Sequence, residues 1–275
     1  MAGRCRWGFR IFTHYLEDSV VGGTRQYAFK RREIGDRARF DKHKYWCYNN
    51  TMPRIARTIL KNIPYHLTQR GNRQQDTFFS TDDRKRYLKW LSHYSELYGF
   101  NIVAYCLMTN HIHIVGIPQR DRGMTLTIQT VQMRHTQAVN RENGWKGHLW
   151  QSRYFSSALD DTHLWLAIRY VEQNPVRAGI VANAQDYIWS SAACHCGLRP
   201  DPVLSDLPEL SDAFDGWDEI LKEVPDNESI EKLRKRTYAG IPCGDEKFLK
   251  RISKRTGRQI NVREPGSPRN PDKKR

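Results

Sequence analysis

From residue 63 onward the apolar and polar positions fall into regular periods. Ile63 to Gln69 alternates, with Ile63, Tyr65 and Leu67 on one side, which predicts a strand. Gly71-Asn72 follows as turn chemistry. Ser80 is placed to cap a helix, with Asp82 and Asp83 in its first turn. Tyr87, Leu91, Tyr94 and Tyr98, flanked by Leu88 and Leu97, form the apolar stripe of that helix, and Gly99 ends it. Phe100 to Met108 reads as a strand, Thr109-Asn110 as a tight connection, and His111 to Ile117 as a second strand closed by Pro118. Residues 122–142 predict a long helix with Met124, Ile128, Val131, His135 and Val139 near one face. Leu149 to Leu159 predicts a strand. Asp160 or Asp161 then caps a helix whose stripe is Leu164, Ile168 and Val171, and Pro175 marks its end at Asn174. Strand, helix, strand, strand, helix, strand, helix makes an α+β sandwich of the ferredoxin-like kind, with an antiparallel sheet.

The flanks read differently. Residues 1–51 show no sustained period and are expected to be an upstream extension without a fold of its own. Met52-Pro-Arg-Ile-Ala-Arg has the look of a chain start. Residues 52–195 are expected to form the main domain. Residues 196–230, rich in Pro and Asp, are expected to be an acidic linker with a short helix near 212–223. Residues 231–275 are expected to form a small basic helical segment, with helices at 229–236 and 244–255, and a disordered tail over the last dozen residues.

Charge sharpens this division. The 275 residues carry a net +15, from 45 Lys and Arg against 30 Asp and Glu. Residues 1–51 contribute +6, 52–190 contribute +7, 191–230 contribute −8 and 231–275 contribute +10. Two basic regions flanking an acidic one point to a polyanionic partner. No apolar run is long enough to span a bilayer, so no membrane role is expected and the expected compartment is the cytoplasm. The six cysteines are scattered, without an export signal, which fits free thiols in a reducing compartment.

Candidate chemistry sits on two of the predicted elements. In His111-Ile112-His113 the alternation of a strand puts both imidazoles on one face, about 7 Å apart, with the isoleucines on the other. Two such imidazoles suit one divalent metal if a third ligand is near, but an His-x-His pair is more often surface or packing. Tyr170 and Asn174 lie four apart on a helix, hence on the same side. Tyrosine is a nucleophile towards phosphorus and an amide oxygen is a metal donor. The plain alternative is a packed Tyr and a helix-terminal Asn. Trp150-Gln151-Ser152-Arg153-Tyr154 suits contact with single-stranded nucleic acid. Tyr154 ranks below Tyr170 as a nucleophile because it has no partner at helical spacing. Cys194-His195-Cys196 is too closely spaced for a structural zinc site.

Taken together and in this order, the motifs resemble the HUH-type single-tyrosine transposases, in the branch of REP-associated tyrosine transposases. The matching stretches are Tyr65-His-Leu-Thr-Gln-Arg-Gly-Asn-Arg73, Ala104-Tyr-Cys-Leu-Met-Thr-Asn-His-Ile-His-Ile114, Gly147-His-Leu-Trp-Gln-Ser-Arg-Tyr154 and Ile168-Arg-Tyr-Val-Glu-Gln-Asn-Pro-Val-Arg-Ala-Gly179. Trp189-Ser-Ser191, Thr237-Tyr-Ala-Gly240 and Gly244-Asp-Glu-Lys-Phe248 are also similar to the family. Thr109 stands where Pro or Ser is common. The likeness implies that His111, His113 and Asn174 bind Mg²⁺ or Mn²⁺, and that Tyr170 attacks a scissile phosphate of single-stranded or hairpin DNA to give a 5′-phosphotyrosine link. It also implies unpaired bases stacked or paired near the active site, candidate phosphate contacts from Arg70, Arg73, Arg134 and Arg153, and a place beside the nucleoid, while Trp150 is a candidate DNA contact from its residue type. A homodimer stays open, because the insertion-sequence relatives exchange tyrosine helices between subunits whereas this branch includes monomers.

Overall fold

The computed structural model describes residues 59–223 and 226–258, together with one pair of two-residue antiparallel strands, β1 (Val20–Val21) and β2 (Thr24–Arg25). The chain divides into two compact units, Met1–Arg54 and Ile55–Arg275, and all the described helices belong to the second. Apart from that strand pair, the extension expected over 1–51 lies outside the described residues, as does the expected basic tail.

Four strands build the sheet of the second unit: β3 (Tyr65–Arg70), β4 (Phe100–Leu107), β5 (His111–Pro118) and β6 (Phe155–Ala158). They lie in the order β4-β5-β3-β6 and every neighbouring pair is antiparallel. That is the predicted split βαβ arrangement. The crossover helices α1 (Thr81–Tyr98) and α2 (Gly123–Asn143) pack together on one face. On the other face lie α3 (Asp161–Glu172) and, from far along the chain, α8 (Asn227–Ala239).

The start and stop signals of α1 work as read. Ser80 Oγ accepts the Asp83 N–H at 3.1 Å and the Asp83 carboxylate accepts the Ser80 N–H at 3.1 Å, a reciprocal cap of the kind worth about 1 kcal/mol. Gly99 closes the helix in the left-handed conformation, at φ 70°. Strict alternation sorts β5. Ile112 and Ile114 face the α1–α2 layer with Leu67, Tyr87, Leu91, Ile128 and Val131. Val115 faces α3 with Cys106, Leu164, Ile168 and Val171. His111 and His113 therefore look towards α3 as well.

Three expectations need correction. The strand expected over Leu149–Leu159 is ladder-paired only at Phe155–Ala158. Upstream, a single bridge joins Trp150 to Gly71, and the Trp150 ring is drawn into the core among Phe78, Tyr87 and His135. Pro175 does not end the helical run. α3 stops at Glu172, and a further turn, α4 (Asn174–Arg177), starts with Pro175 in its first turn, where a missing N–H breaks no helical bond. Residues 196–223 also do more than tether. After the short helix α5 (Ala192–His195) come α6 (Pro208–Ser211) and α7 (Trp217–Lys222), and Trp217 and Leu221, one helical turn apart, are buried against the α3 side of the sheet.

One buried carboxylate ties these pieces together. Glu172, fully buried at the end of α3, accepts from Ser191 Oγ, from His195 Nδ1 at 2.7 Å and from Trp217 Nε1 at 2.7 Å. Both outer edges of the sheet are also occupied. Along β4, Leu107 N–H reaches Trp189 O at 2.9 Å, and Ile102 O accepts the Ser205 N–H at 2.9 Å. Along β6, Cys243 N–H reaches Ala158 O at 2.7 Å, just before α9 (Glu246–Thr256). Cys106, Cys194, Cys196 and Cys243 are free thiols. No described helix is long and apolar enough to cross a membrane.

Candidate active site

Strand register assembles the site. On the face towards α3 and α8, antiparallel pairing sets His66 of β3 opposite Val115, Thr68 opposite His113 and Arg70 opposite His111. Three imidazoles thus share one patch of sheet. The rings of His111 and His113 lie 5.1 Å apart at 84°. Those of His113 and His66 lie 5.3 Å apart and nearly parallel, with His66 Nε2 3.0 Å from His113 Nδ1.

Helix α3 brings Tyr170 onto this patch. Its ring stands edge-on to both, 5.4 Å from His113 and 5.7 Å from His66. Tyr170 is buried, and burial raises its phenol above the ordinary value while Arg177 and Arg234 pull it back down. The Arg177 guanidinium lies over the ring, 4.6 Å from its centroid. Asn174 follows one helical turn after Tyr170 and donates its amide N–H to Tyr170 O at 2.9 Å and to Val171 O at 3.3 Å. That orients the side chain and leaves the amide oxygen out of these two bonds.

Burial holds the imidazoles uncharged at neutral pH. It lowers His111 to about 4, with Arg70 and Arg234 adding to the effect, and lowers His66 to about 3. His113 is pushed well below the ordinary range by burial, then by the neighbouring histidines and by Arg177 and Arg234. Arg70, Arg177 and Arg234 thus set positive charge beside uncharged imidazoles, a setting that favours an anion.

The residues fit a divalent cation. Ligating histidines in metal sites use one ring nitrogen for the metal and the other for an outer partner. Here His111 Nδ1 is held by Asn110 Oδ1 at 2.7 Å and His113 Nδ1 by His66, and among the described residues neither Nε2 makes a hydrogen bond. Among the described residues no group of three or more His, Cys, Asp or Glu is placed to hold a metal ion. Two imidazoles on one face of the sheet, His111 and His113, are the nitrogen donors available here, and His66 lies behind His113.

Other candidates fall elsewhere. Arg70 borders the patch, opposite His111. Arg73 sits in the turn after β3 at φ 53°, and Arg153 is exposed beside β6. Arg134 belongs to α2, on the opposite face of the sheet, with its guanidinium 5.3 Å from the Tyr94 ring centroid. Trp150 is 8% exposed and packs in the core, so its ring does not offer a stacking face. Tyr154 is buried, with its hydroxyl 3.1 Å from Thr125 Oγ1 of α2, away from the histidines. His195 of the Cys-His-Cys triplet bonds Glu172.

Sequence reasoning passed over His66, Arg177, Arg234 and Thr237. Alternation put His66 opposite to Ile63, Tyr65 and Leu67, but only the register shows that it meets His113. Arg177 lies seven residues beyond Tyr170, two turns along the same helical side. Nothing local marked α8 as part of the site.

Three comparisons bear on this arrangement. Residues 59–174 match the family described as "Transposase IS200 like". A protein of Haemophilus influenzae (strain ATCC 51907 / DSM 11121 / KW20 / Rd), named as a REP-associated tyrosine transposase, is 28% identical over 107 residues, covering 35% of this chain. The chain spans 61% of the length of that relative. Among solved structures, a REP-associated tyrosine transposase bound to a REP hairpin is similar with a TM-score of 0.46 and 20% identity, over 56% of this chain and 93% of that one. A transposase of Deinococcus radiodurans R1 is similar with a TM-score of 0.31 and 18% identity, over 43% of this chain and 95% of that one.

Proposed function

We propose that this protein, whose residues 59–174 match the family described as "Transposase IS200 like", cleaves and rejoins single-stranded, hairpin-associated DNA through a 5′-phosphotyrosine intermediate. The observation that carries the proposal is the seating of Tyr170 against His113, 5.4 Å between ring centroids, with Arg177 and Arg234 acting on both.

In the proposed reaction Tyr170 Oη attacks the scissile phosphorus. The Oη–P bond forms, the bond from phosphorus to the 3′ oxygen breaks, and that oxygen leaves as a hydroxyl after taking up a proton. The phenol must lose its own proton on the way. Arg177 and Arg234 favour that loss and oppose the effect of burial. Attack by a 3′-hydroxyl reverses the step. The phosphotyrosine conserves the bond energy, so no nucleotide cofactor is required.

His111, His113 and Asn174 would hold Mg²⁺ or Mn²⁺. Such an ion supplies positive charge to the non-bridging phosphate oxygens as negative charge develops there. Arg70, Arg73 and Arg153 would contact backbone phosphates, and the basic residues of α9 would add affinity that falls with salt. Tyr170 and the histidines belong to one chain, so the proposed chemistry needs no second copy, although a homodimer is compatible with it. Acting on DNA would place the protein in the cytoplasm, beside the nucleoid.

The test is incubation with hairpin DNA carrying a single-stranded flank and Mn²⁺, followed by a denaturing gel. A protein–DNA adduct that is lost in Tyr170→Phe and kept in Tyr154→Phe is expected. An adduct that survives Tyr170→Phe rules the assignment out.

A further inference from the structure

His66 is 1% exposed, yet its two ring nitrogens are both engaged. Nε2 lies 3.0 Å from His113 Nδ1, and Nδ1 lies 2.9 Å from Thr237 Oγ1, itself fully buried on α8. A line of three polar groups therefore runs from the sheet, through the core, to a helix 124 positions after His113 in the chain and outside the transposase match at 59–174. Buried polar side chains persist when their hydrogen bonds are made, and this line runs in one of two directions.

The direction matters because a neutral imidazole carries only one N–H. If His113 donates from Nδ1, its Nε2 keeps a lone pair and is able to ligate. His66 then accepts at Nε2, carries its proton on Nδ1 and donates to Thr237 Oγ1. If the line runs the other way, from the Thr237 hydroxyl through His66 to His113 Nδ1, then His113 carries its proton on Nε2 and cannot ligate. His111 has no such ambiguity, because the carbonyl-type oxygen of Asn110 only accepts, which fixes the proton on His111 Nδ1.

We infer that His66 and Thr237 are positioning residues that hold His113 in its metal-ligating tautomer, so that the C-terminal helix α8 belongs to the active site. This rests on the reading of His111 and His113 as metal ligands. It separates His66 from a third ligand: the nitrogen facing His113 is occupied by that bond, and the other faces away towards α8. Helix α8 has a second link to the same place, since Arg234 acts electrostatically on His111, His113 and Tyr170.

The experiment measures Mn²⁺ affinity of the full chain by calorimetry, with ¹⁵N NMR of the metal-free His113 ring as the tautomer readout. Outer partners of metal-binding histidines typically tune affinity by about 10–100-fold. His66→Leu, which removes the acceptor, is expected to weaken Mn²⁺ binding by about that factor and to move His113 towards the Nε2–H form. His66→Gln, whose amide oxygen accepts from His113 Nδ1, is expected to recover most of the affinity. Thr237→Val is expected to show a smaller loss that Thr237→Ser restores. This milder pair keeps the test valid if His66→Leu fails to fold. Wild-type affinity and an unchanged His113 tautomer in both His66→Leu and Thr237→Val would overturn the relay. Loss in His66→Gln as deep as in His66→Leu would also overturn it, by making His66 a ligand. Wild-type protein whose Mn²⁺ binding is indifferent to His111→Ala and His113→Ala overturns the metal reading itself and the relay with it.

Discussion

Glu172→Ala is the sharpest test of how the tyrosine helix is held. Glu172 is fully buried, and its carboxylate is the common acceptor for Ser191, His195 and Trp217. Truncation leaves three donors without a partner in a region where Ser191 is 0% and Trp217 3% exposed. Each buried donor left unsatisfied costs about 1–3 kcal/mol, and the void adds to this. Some of the loss is recovered by water and relaxation, so the expected destabilisation is about 3–5 kcal/mol, the range for removing one partner from a buried polar set. Urea unfolding followed by tryptophan fluorescence measures it. With an m-value of about 2 kcal/mol/M the midpoint falls by about 2 M. Trp217→Phe removes one donor and is expected to cost about 1–2 kcal/mol alone. In the double variant most of that cost disappears, because the orphaned indole N–H is no longer there. A Glu172→Ala midpoint within about 0.5 M of wild type, or strict additivity with Trp217→Phe, would refute the view that this carboxylate anchors α3 to residues 191–217.

Other outcomes follow from the same structure. His135 is fully buried, donates to Thr77 O at 2.7 Å, and has its pKa lowered by burial to about 4. The unfolded chain binds its proton from about pH 6.5 downward and the folded chain does not, so stability present at pH 7 is lost as pH falls from about 6.5 to 4, at up to about 1.4 kcal/mol per pH unit for this histidine. Urea midpoints at pH 7 and 5 in wild type and His135→Gln check the slope, which should flatten in the variant. Because the Tyr170 phenol is raised, adduct formation should climb with pH through 7–9, and Arg177→Met, which removes an opposing charge, should shift the climb to higher pH in a single-turnover assay. Gly71→Ala should cost about 1–3 kcal/mol by thermal melting, since its Cβ would meet Gln75 O at 2.1 Å and Thr77 Cγ2 at 2.9 Å.

Much of this architecture could be read from local pattern. The cap at Ser80, the stop at Gly99 and the inward isoleucines of β5 are each set by a few adjacent residues, and each forms as read. The pairing of His111 with His113 is legible for the same reason, since alternation alone puts them on one face. What stayed hidden depended on partners distant in sequence. Trp150 reads as a surface aromatic until α1 and α2 close over it. Trp217 and Leu221 sit in an acidic stretch whose composition masks a one-turn apolar contact. His66 has neutral flanks, and only the β3–β5 register and the return of α8 give it a role. Pro175 reads as a terminator because proline restricts its predecessor, but here it opens the next turn.

The covered sheet edges carry a consequence for handling the chain. Open edges invite strands from other molecules, and this sheet has both of its own stoppered by irregular backbone, Trp189–Ser191 with Ser205 along β4 and Ile241–Cys243 along β6. The second stopper arrives late in synthesis, after the four strands of the sheet are complete. A fragment ending before Ile241 would bare the backbone of β6 and trade a discrete protein for one prone to stack into aggregates. Expression boundaries for this protein therefore belong beyond α9.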